Sequence, residues 1–247
     1  YSQNELTNTA MNITIDKLTK CFGEKKALDI DHYSVHSGEI IGLVGNNGAG
    51  KTTLFRVILD LLHADSGNVV IEGEHNGAHV SYDPAKCEDW KEFTGAFVDS
   101  GFLIDYLTPA EYFRFIAKIS NISDEELEAR LHKFDSFMNG EVVGQKTLIR
   151  NLSMGNKQKV GIIGAMLHNP KLLILDEPFN FLDPSSQLSM KHLLEAYNKE
   201  QGATIIVSSH NLAHTIDICT RVTLLEHGVI IKDHNKDYAE LTTEIEE

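Results

Sequence analysis

A chain of 247 residues, 42% hydrophobic and 23% charged, is long enough for one large domain or two small ones and ordinary enough to fold around a core, which excludes wholesale disorder. Twenty-two Lys and Arg against 36 Asp and Glu leave a formal charge of −14, the wrong sign for a protein whose main partner is nucleic acid. Three widely spaced cysteines, Cys21, Cys87 and Cys219, form no C-x-x-C pair, so a disulfide framework or thiolate metal site is not expected and a reducing compartment fits.

Residues 1–10 carry neither a basic cluster nor an apolar run and do not read as a secretory signal. They are expected to be a natural extension or an expression remnant outside the fold. Residues 12–18 alternate Ile13, Ile15 and Leu18 with Thr14, Asp16 and Lys17, the period of a half-buried strand. A second strand is predicted over 28–35. Residues 39–45 form a continuous apolar run closed by glycine, as in a strand covered on both faces. A helix is predicted from Lys51, with Leu54, Val57, Ile58, Leu61 and Leu62 on one stripe, followed by a strand over 68–72.

The middle of the chain changes character. Thr108-Pro109-Ala110-Glu111 and Ser123-Asp124-Glu125-Glu126 both match the capping box, and Pro109 sits at the first helical position. Behind them Tyr112, Phe113, Ile116 and Ile119 line one helix, and Leu127, Leu131, Phe134 and Met138 a second. Two capped helices with no strand between them predict an inserted helical subdomain over about 100–158, its aromatic stripe read as core. The longest apolar run, 160–167, stops at His168, Asn169 and Pro170, well short of the ~18 residues a membrane-spanning helix needs; a soluble chain is expected. An α/β rhythm then resumes, with strands over 171–176 and 203–208, a helix over 185–200 and a helical stretch over 212–219. A hairpin over 221–232 turns at His227-Gly228, and an acidic tail follows over 233–247.

Chemistry enters with Gly45, Asn46, Asn47, Gly48, Ala49, Gly50, Lys51 and Thr52, which satisfy G-x-x-x-x-G-K-S/T between a predicted buried strand and a helix. Glycines let consecutive backbone N–H groups turn inward, and the helix N-terminus adds partial positive charge. Lys51 offers a full charge to the β- and γ-phosphates of a nucleotide, and Thr52 a hydroxyl to Mg²⁺. Asp176, at the end of an apolar strand, is the natural second holder of the Mg²⁺. Glu177 points to the opposite side of an extended segment and is expected to polarise the attacking water; a capping or solvated carboxylate is the plainer alternative.

Two further pieces narrow the assignment. Leu152-Ser153-Met154-Gly155-Asn156-Lys157-Gln158 precedes an apolar helix, and His210 closes the strand before it. With residues 45–53, 172–177 and Leu182-Asp183, this resembles the nucleotide-binding subunit of an ATP-binding cassette (ABC) transporter, in order from about 13 to 232. The resemblance implies an α/β fold: a P-loop NTPase core with an antiparallel β subdomain and the inserted helical subdomain, together one cassette over 11–232. It implies a head-to-tail dimer holding two ATP with Mg²⁺. One subunit supplies residues Gly45 to Thr53, Asp176, Glu177 and His210, and its mate supplies Ser153 and Gly155. His210 resembles the switch histidine, Asp183 the intersubunit aspartate, and Phe22 the aromatic that stacks on adenine. Each has a bland alternative: a helix cap for Ser153 and for Asp183, a strand-end or core residue for His210, and core for Phe22.

Two positions depart from the family pattern. Counting back from Leu107-Thr108 places Asp99 where the family carries Gln, as a charged and non-donating substitute whose part in catalysis is open. The signature reads Leu-Ser-Met-Gly-Asn rather than Leu-Ser-Gly-Gly-Gln, with Ser153 and Gly155 retained. Among twelve histidines, His210 and His214 are spaced i, i+4 but lack the Glu of H-E-x-x-H, and no zinc is expected. The resemblance therefore implies an ATPase that drives a transporter of export type. Its expected partners are a second ABC subunit, identical or not, and an integral-membrane permease holding it at the cytoplasmic face of the membrane. A non-transport ABC ATPase of a soluble assembly machine, and an ATP-gated scaffold with little turnover, share the same motifs.

Overall fold

The computed structural model describes residues 11–75, 78–144, 146–211 and 216–235. The expectations placed on 1–10, on the tail from 236, on His214 and on part of the helical stretch 212–219 lie outside the described residues.

Two sheets organise the chain. β1 (Met11–Phe22) and β2 (Lys25–Val35) pair antiparallel, and β1 also pairs antiparallel with β4 (Ser66–His75), which carries β5 (Ala78–Tyr82) at the edge. The alternation read from residues 12–18 is real: Met11, Ile13, Ile15 and Leu18 are buried, and their neighbours are not. The second sheet has the order β10-β9-β3-β8-β7-β6. It comprises β3 (Ile40–Val44), β6 (Thr94–Phe97), β7 (Leu172–Leu175), β8 (Thr204–Ser209), β9 (Arg221–Glu226) and β10 (Val229–Asn235). All are parallel to their neighbours except β10, which returns antiparallel on β9.

Every residue of β3, β7 and β8 is buried, as the unbroken apolar runs required of strands with both faces covered. On one face Ile41, Leu43, Leu172 and Ile174 pack with α1 (Lys51–Ile58) and the antiparallel sheet. On the other, Ile40, Val44, Leu173 and Leu175 pack with α5 (Met154–Met166), α6 (Pro184–Gln201) and the inserted helices α2 (Pro109–Ile119), α3 (Asp124–His132) and α4 (Asp135–Met138). The consequence for chemistry is positional: β3, β8 and β7 lie side by side, so the loops after their C-terminal ends leave the sheet together.

Several boundaries differ from the sequence reading, each for a local reason. α1 ends at Ile58, and Asp60 takes a left-handed backbone (φ 51°), so Leu61 and Leu62 fall beyond the helix and Leu61 is exposed. The second inserted helix is broken into α3 and α4 around Lys133 and Phe134, although Leu127, Phe134 and Met138 remain buried. The capping box at Thr108 is complete, whereas at Ser123 only the Ser123 side chain takes part, accepting from the Glu126 N–H. β10 runs three residues past Lys232 because Asp233 belongs to the sheet: it accepts from Arg221 Nε at 2.8 Å and from the Thr223 hydroxyl at 2.9 Å. Among the described residues, no helix is long and apolar enough to cross a membrane.

α5 approaches β6 without side-chain separation. A Cβ on Gly161 would stand 2.0 Å from the Phe97 ring. Gly161→Ala is therefore expected to cost about 1–3 kcal/mol by overpacking, more than the ~1 kcal/mol helix propensity that Ala brings. Urea denaturation measures the difference, and an unchanged midpoint would contradict the contact.

Candidate active site

The glycine loop is built by close approach. Gly50 is left-handed (φ 115°), and a Cβ there would meet the Ala27 carbonyl oxygen at 2.7 Å; a Cβ on Gly45 would meet the Leu225 carbonyl oxygen at 2.3 Å. The β9–β10 turn supports the loop from beneath: the Gly228 N–H donates to the Ala49 carbonyl at 2.8 Å. Sequence reasoning saw that hairpin but not what it carries. Together Phe22, Lys25, Ala27, residues 46–53 and Glu177 line a cavity of about 260 Å³. Phe22 is 54% exposed at the end of β1, so it lies at this cavity's wall and not in the core.

Lys51 begins α1 and is only 6% exposed. Its ammonium donates to the carbonyls of Gly45 at 2.5 Å and Asn46 at 3.4 Å, and lies 3.3 Å from Glu177 Oε1. The other Glu177 oxygen, Oε2, is 2.9 Å from His210 Nδ1. The Thr52 hydroxyl donates to Asp176 Oδ2 at 2.5 Å, and the Ser208 hydroxyl donates to Asp176 Oδ1. Burial pushes the Asp176 carboxyl above its ordinary pKa, against the opposing pull of those two hydroxyls. Lys51, Thr52, Asp176, Glu177 and His210 are thus gathered at one strand-end edge, as the sequence spacing leads one to expect of a phosphate-binding centre.

Other expected residues stand apart from this cluster. Ser153 caps α5, accepting from the Asn156 N–H at 3.2 Å, and Gly155 lies where a Cβ would be 2.7 Å from the Phe181 carbonyl oxygen. Both line a second cavity, of about 360 Å³, together with Asp183. The Asp183 carboxylate caps α6, accepting from the hydroxyls of Ser185 and Ser186 at 2.6 Å each, and these bonds hold it well below the usual carboxylate range. The two cavities share no lining residue. Asp99 is brought to neither: its carboxylate accepts from the Gly101 N–H at 2.8 Å and lies 3.8 Å from Arg56. Two residues were given no role of their own in the sequence reading. Ser208 accepts from the Glu177 N–H at 2.8 Å, and buried Gln158 donates from Nε2 to the Glu177 carbonyl at 3.1 Å.

Known proteins resemble this chain over most of its length. Residues 28–180 match the family model described as ABC transporter. The chain belongs to the ABC transporter family. It is 34% identical over 93% of its length to an uncharacterized ABC transporter ATP-binding protein of Bacillus subtilis, YdbJ, covering 71% of that protein. It is also 34% identical to the bacitracin transport ATP-binding protein BcrA of Bacillus licheniformis, over 87% of this chain and 67% of that one. A solved ATP-binding subunit of an ABC transporter superposes with a TM-score of 0.77 at 27% identity, covering 94% of this chain and 92% of the other. This ABC subunit therefore binds ATP and hydrolyses it in support of transport, on the α/β cassette fold.

Because the Asp176 carboxyl is raised, the folded chain binds that proton more tightly than the unfolded chain does. Ionising it therefore costs stability as pH rises through and above the ordinary carboxylate range. Asp176→Asn is expected to raise the melting temperature of the nucleotide-free subunit at pH 7. The gap should close as the pH falls and the native carboxyl becomes protonated. Equal melting temperatures at pH 7 would remove the basis for a destabilising buried charge.

Proposed function

We propose that the subunit drives an exporter by closing head-to-tail with a second cassette around two ATP, each site being completed by the mate's signature turn. The observation that carries this reading is the separation within one chain: Lys51 and Glu177, the latter bonded to His210, border one cavity, and Ser153, Gly155 and Asp183 border another. A capped α5 N-terminus beside an exposed cavity offers its free amides to an anion that its own subunit's glycine loop does not place there. Outward direction rests on the likeness to a lipopolysaccharide export system ATP-binding protein of Haemophilus influenzae, LptB, 29% identical over 89% of this chain. In this reading a membrane permease supplies the pathway and holds the subunit at the cytoplasmic face.

Within the site, the backbone of Asn46, Asn47, Gly48, Ala49 and Gly50 wraps the phosphates, Thr52 and Thr53 follow at the helix start, and exposed Phe22 takes the adenine. Lys51 exchanges the Gly45 and Asn46 carbonyls for phosphate oxygens. Glu177 orients and deprotonates the attacking water, and His210 holds its carboxylate from the open side. Thr52 and Asp176 fit Mg²⁺ as an all-oxygen donor pair, with the hydroxyl already against a buried carboxylate oxygen. When bound, the ion neutralises charge on the β- and γ-phosphate oxygens.

Glu177→Gln is expected to lower phosphate release by about 100-fold or more while ATP still yields a dimer by light scattering. An unchanged rate would exclude Glu177 as the base. Lys51→Ala should weaken ATP binding by about tenfold or more in equilibrium titration, since a buried charge-assisted contact is lost; undiminished affinity would contradict the cradle.

A further inference from the structure

Glu177 has an unusual backbone. It sits at φ 47°, a left-handed conformation costing a non-glycine residue ~1–2 kcal/mol, so neighbouring groups must hold it there. Two side chains from different elements hold the two peptide groups that flank this residue. Ser208 of β8 accepts its N–H at 2.8 Å, and Gln158 of α5 donates to its carbonyl at 3.1 Å. The Asn180 N–H donates to the same carbonyl at 3.1 Å, closing the local turn. Gln158 is 7% exposed, so its amide is committed to this contact rather than to solvent. It lies five positions after Ser153 on the helix that Ser153 caps, about 7.5 Å along the axis.

We infer that Gln158 is a positioning residue for hydrolysis, tying the backbone of Glu177 to the helix that begins at the signature turn. It touches no reacting atom; it fixes the direction in which the Glu177 carboxylate leaves the chain. Resting on the two-subunit reading above, the assignment has a consequence. Ser153 of a subunit contacts the nucleotide in one site, while Glu177 of that same subunit acts in the other. Gln158 then links occupancy of the first site to alignment of the base in the second, and hydrolysis should depend cooperatively on ATP.

The test compares native protein with Gln158→Met, which keeps length and burial but has no donor, and Gln158→Glu, which keeps shape and donates nothing when ionised. Phosphate release is followed against ATP concentration, alongside melting temperature. For both variants kcat is expected to fall about tenfold, half-saturation to stay within about twofold, and the Hill coefficient to drop from above 1 toward 1. Combined with Glu177→Gln, the Gln158→Met change should leave the ATP-driven dimer intact by light scattering. Native-like kcat and cooperativity in both variants overturn the inference. So does a fall that tracks lost thermal stability and lost ATP affinity, which marks a merely structural contact. If the Glu177→Gln protein itself forms no ATP-driven dimer, the two-subunit reading fails independently of Gln158.

Discussion

One buried carboxylate organises the catalytic edge. Asp176 leaves the end of β7 into a position where water cannot solvate it, and burying a charge without partners is costly. Its two oxygens accept from two hydroxyls on two different elements, Thr52 of α1 and Ser208 of β8. Meeting that requirement fixes β7, β8 and the start of α1 against one another. The parallel register that sets Leu175 beside Val207 brings the next residues, Asp176 and Ser208, within reach. Ser208 then does double duty by accepting the Glu177 N–H, so the same hydroxyl that compensates Asp176 also orients its neighbour.

The cluster around Glu177 is an internal substitute for a ligand. Lys51 carries a positive charge into a nearly closed cradle and satisfies it with two backbone carbonyls and one Glu177 oxygen. Triphosphate oxygens are stronger partners for an ammonium than carbonyls are, so in the proposed site nucleotide binding would exchange partners rather than bury a new charge. Glu177 is held from both sides, by Lys51 at Oε1 and by His210 at Oε2.

What was legible in the sequence is what local rules determine. The buried runs of β3, β7 and β8, the glycine loop, the Thr108 cap and the edge that gathers Lys51, Asp176, Glu177 and His210 follow from apolar period, turn chemistry and strand-end position. Short or exposed edges were not legible: β6 has four residues and β5 presents a largely exposed face, too little pattern for periodicity to register. Leu61 and Leu62 kept the helical spacing after the helix had ended, because a left-handed Asp60 breaks the chain without altering the pattern. Gln158 stood at the end of the signature stretch, but its contact was invisible for another reason. Its partner is a backbone carbonyl 19 residues away, and a glutamine inside a helix reads as solvated until the fold buries it. Asp99 shows the converse: counting back along the motif order reached it but left its role open, and its carboxylate caps the turn at Gly101, a local bond that motif spacing does not reveal.

The helix α5 explains how such contacts could act together. All its residues from Gln158 to Met166 are buried, so it belongs at once to the inserted helices and to the sheet. At Gly161 its backbone rests against the Phe97 ring of β6, and at Gly164 against Tyr112 and Ile116 of α2. From Gln158 onward the helix is buried and clamped on two sides, so at native packing density that part resists local deformation. A displacement of the Ser153 turn that reaches this part would carry Gln158 with it, or move the inserted helices against the sheet. Either response alters the left-handed peptide of Glu177 or the surface that the insertion presents, which gives a single rigid element two mechanical outputs.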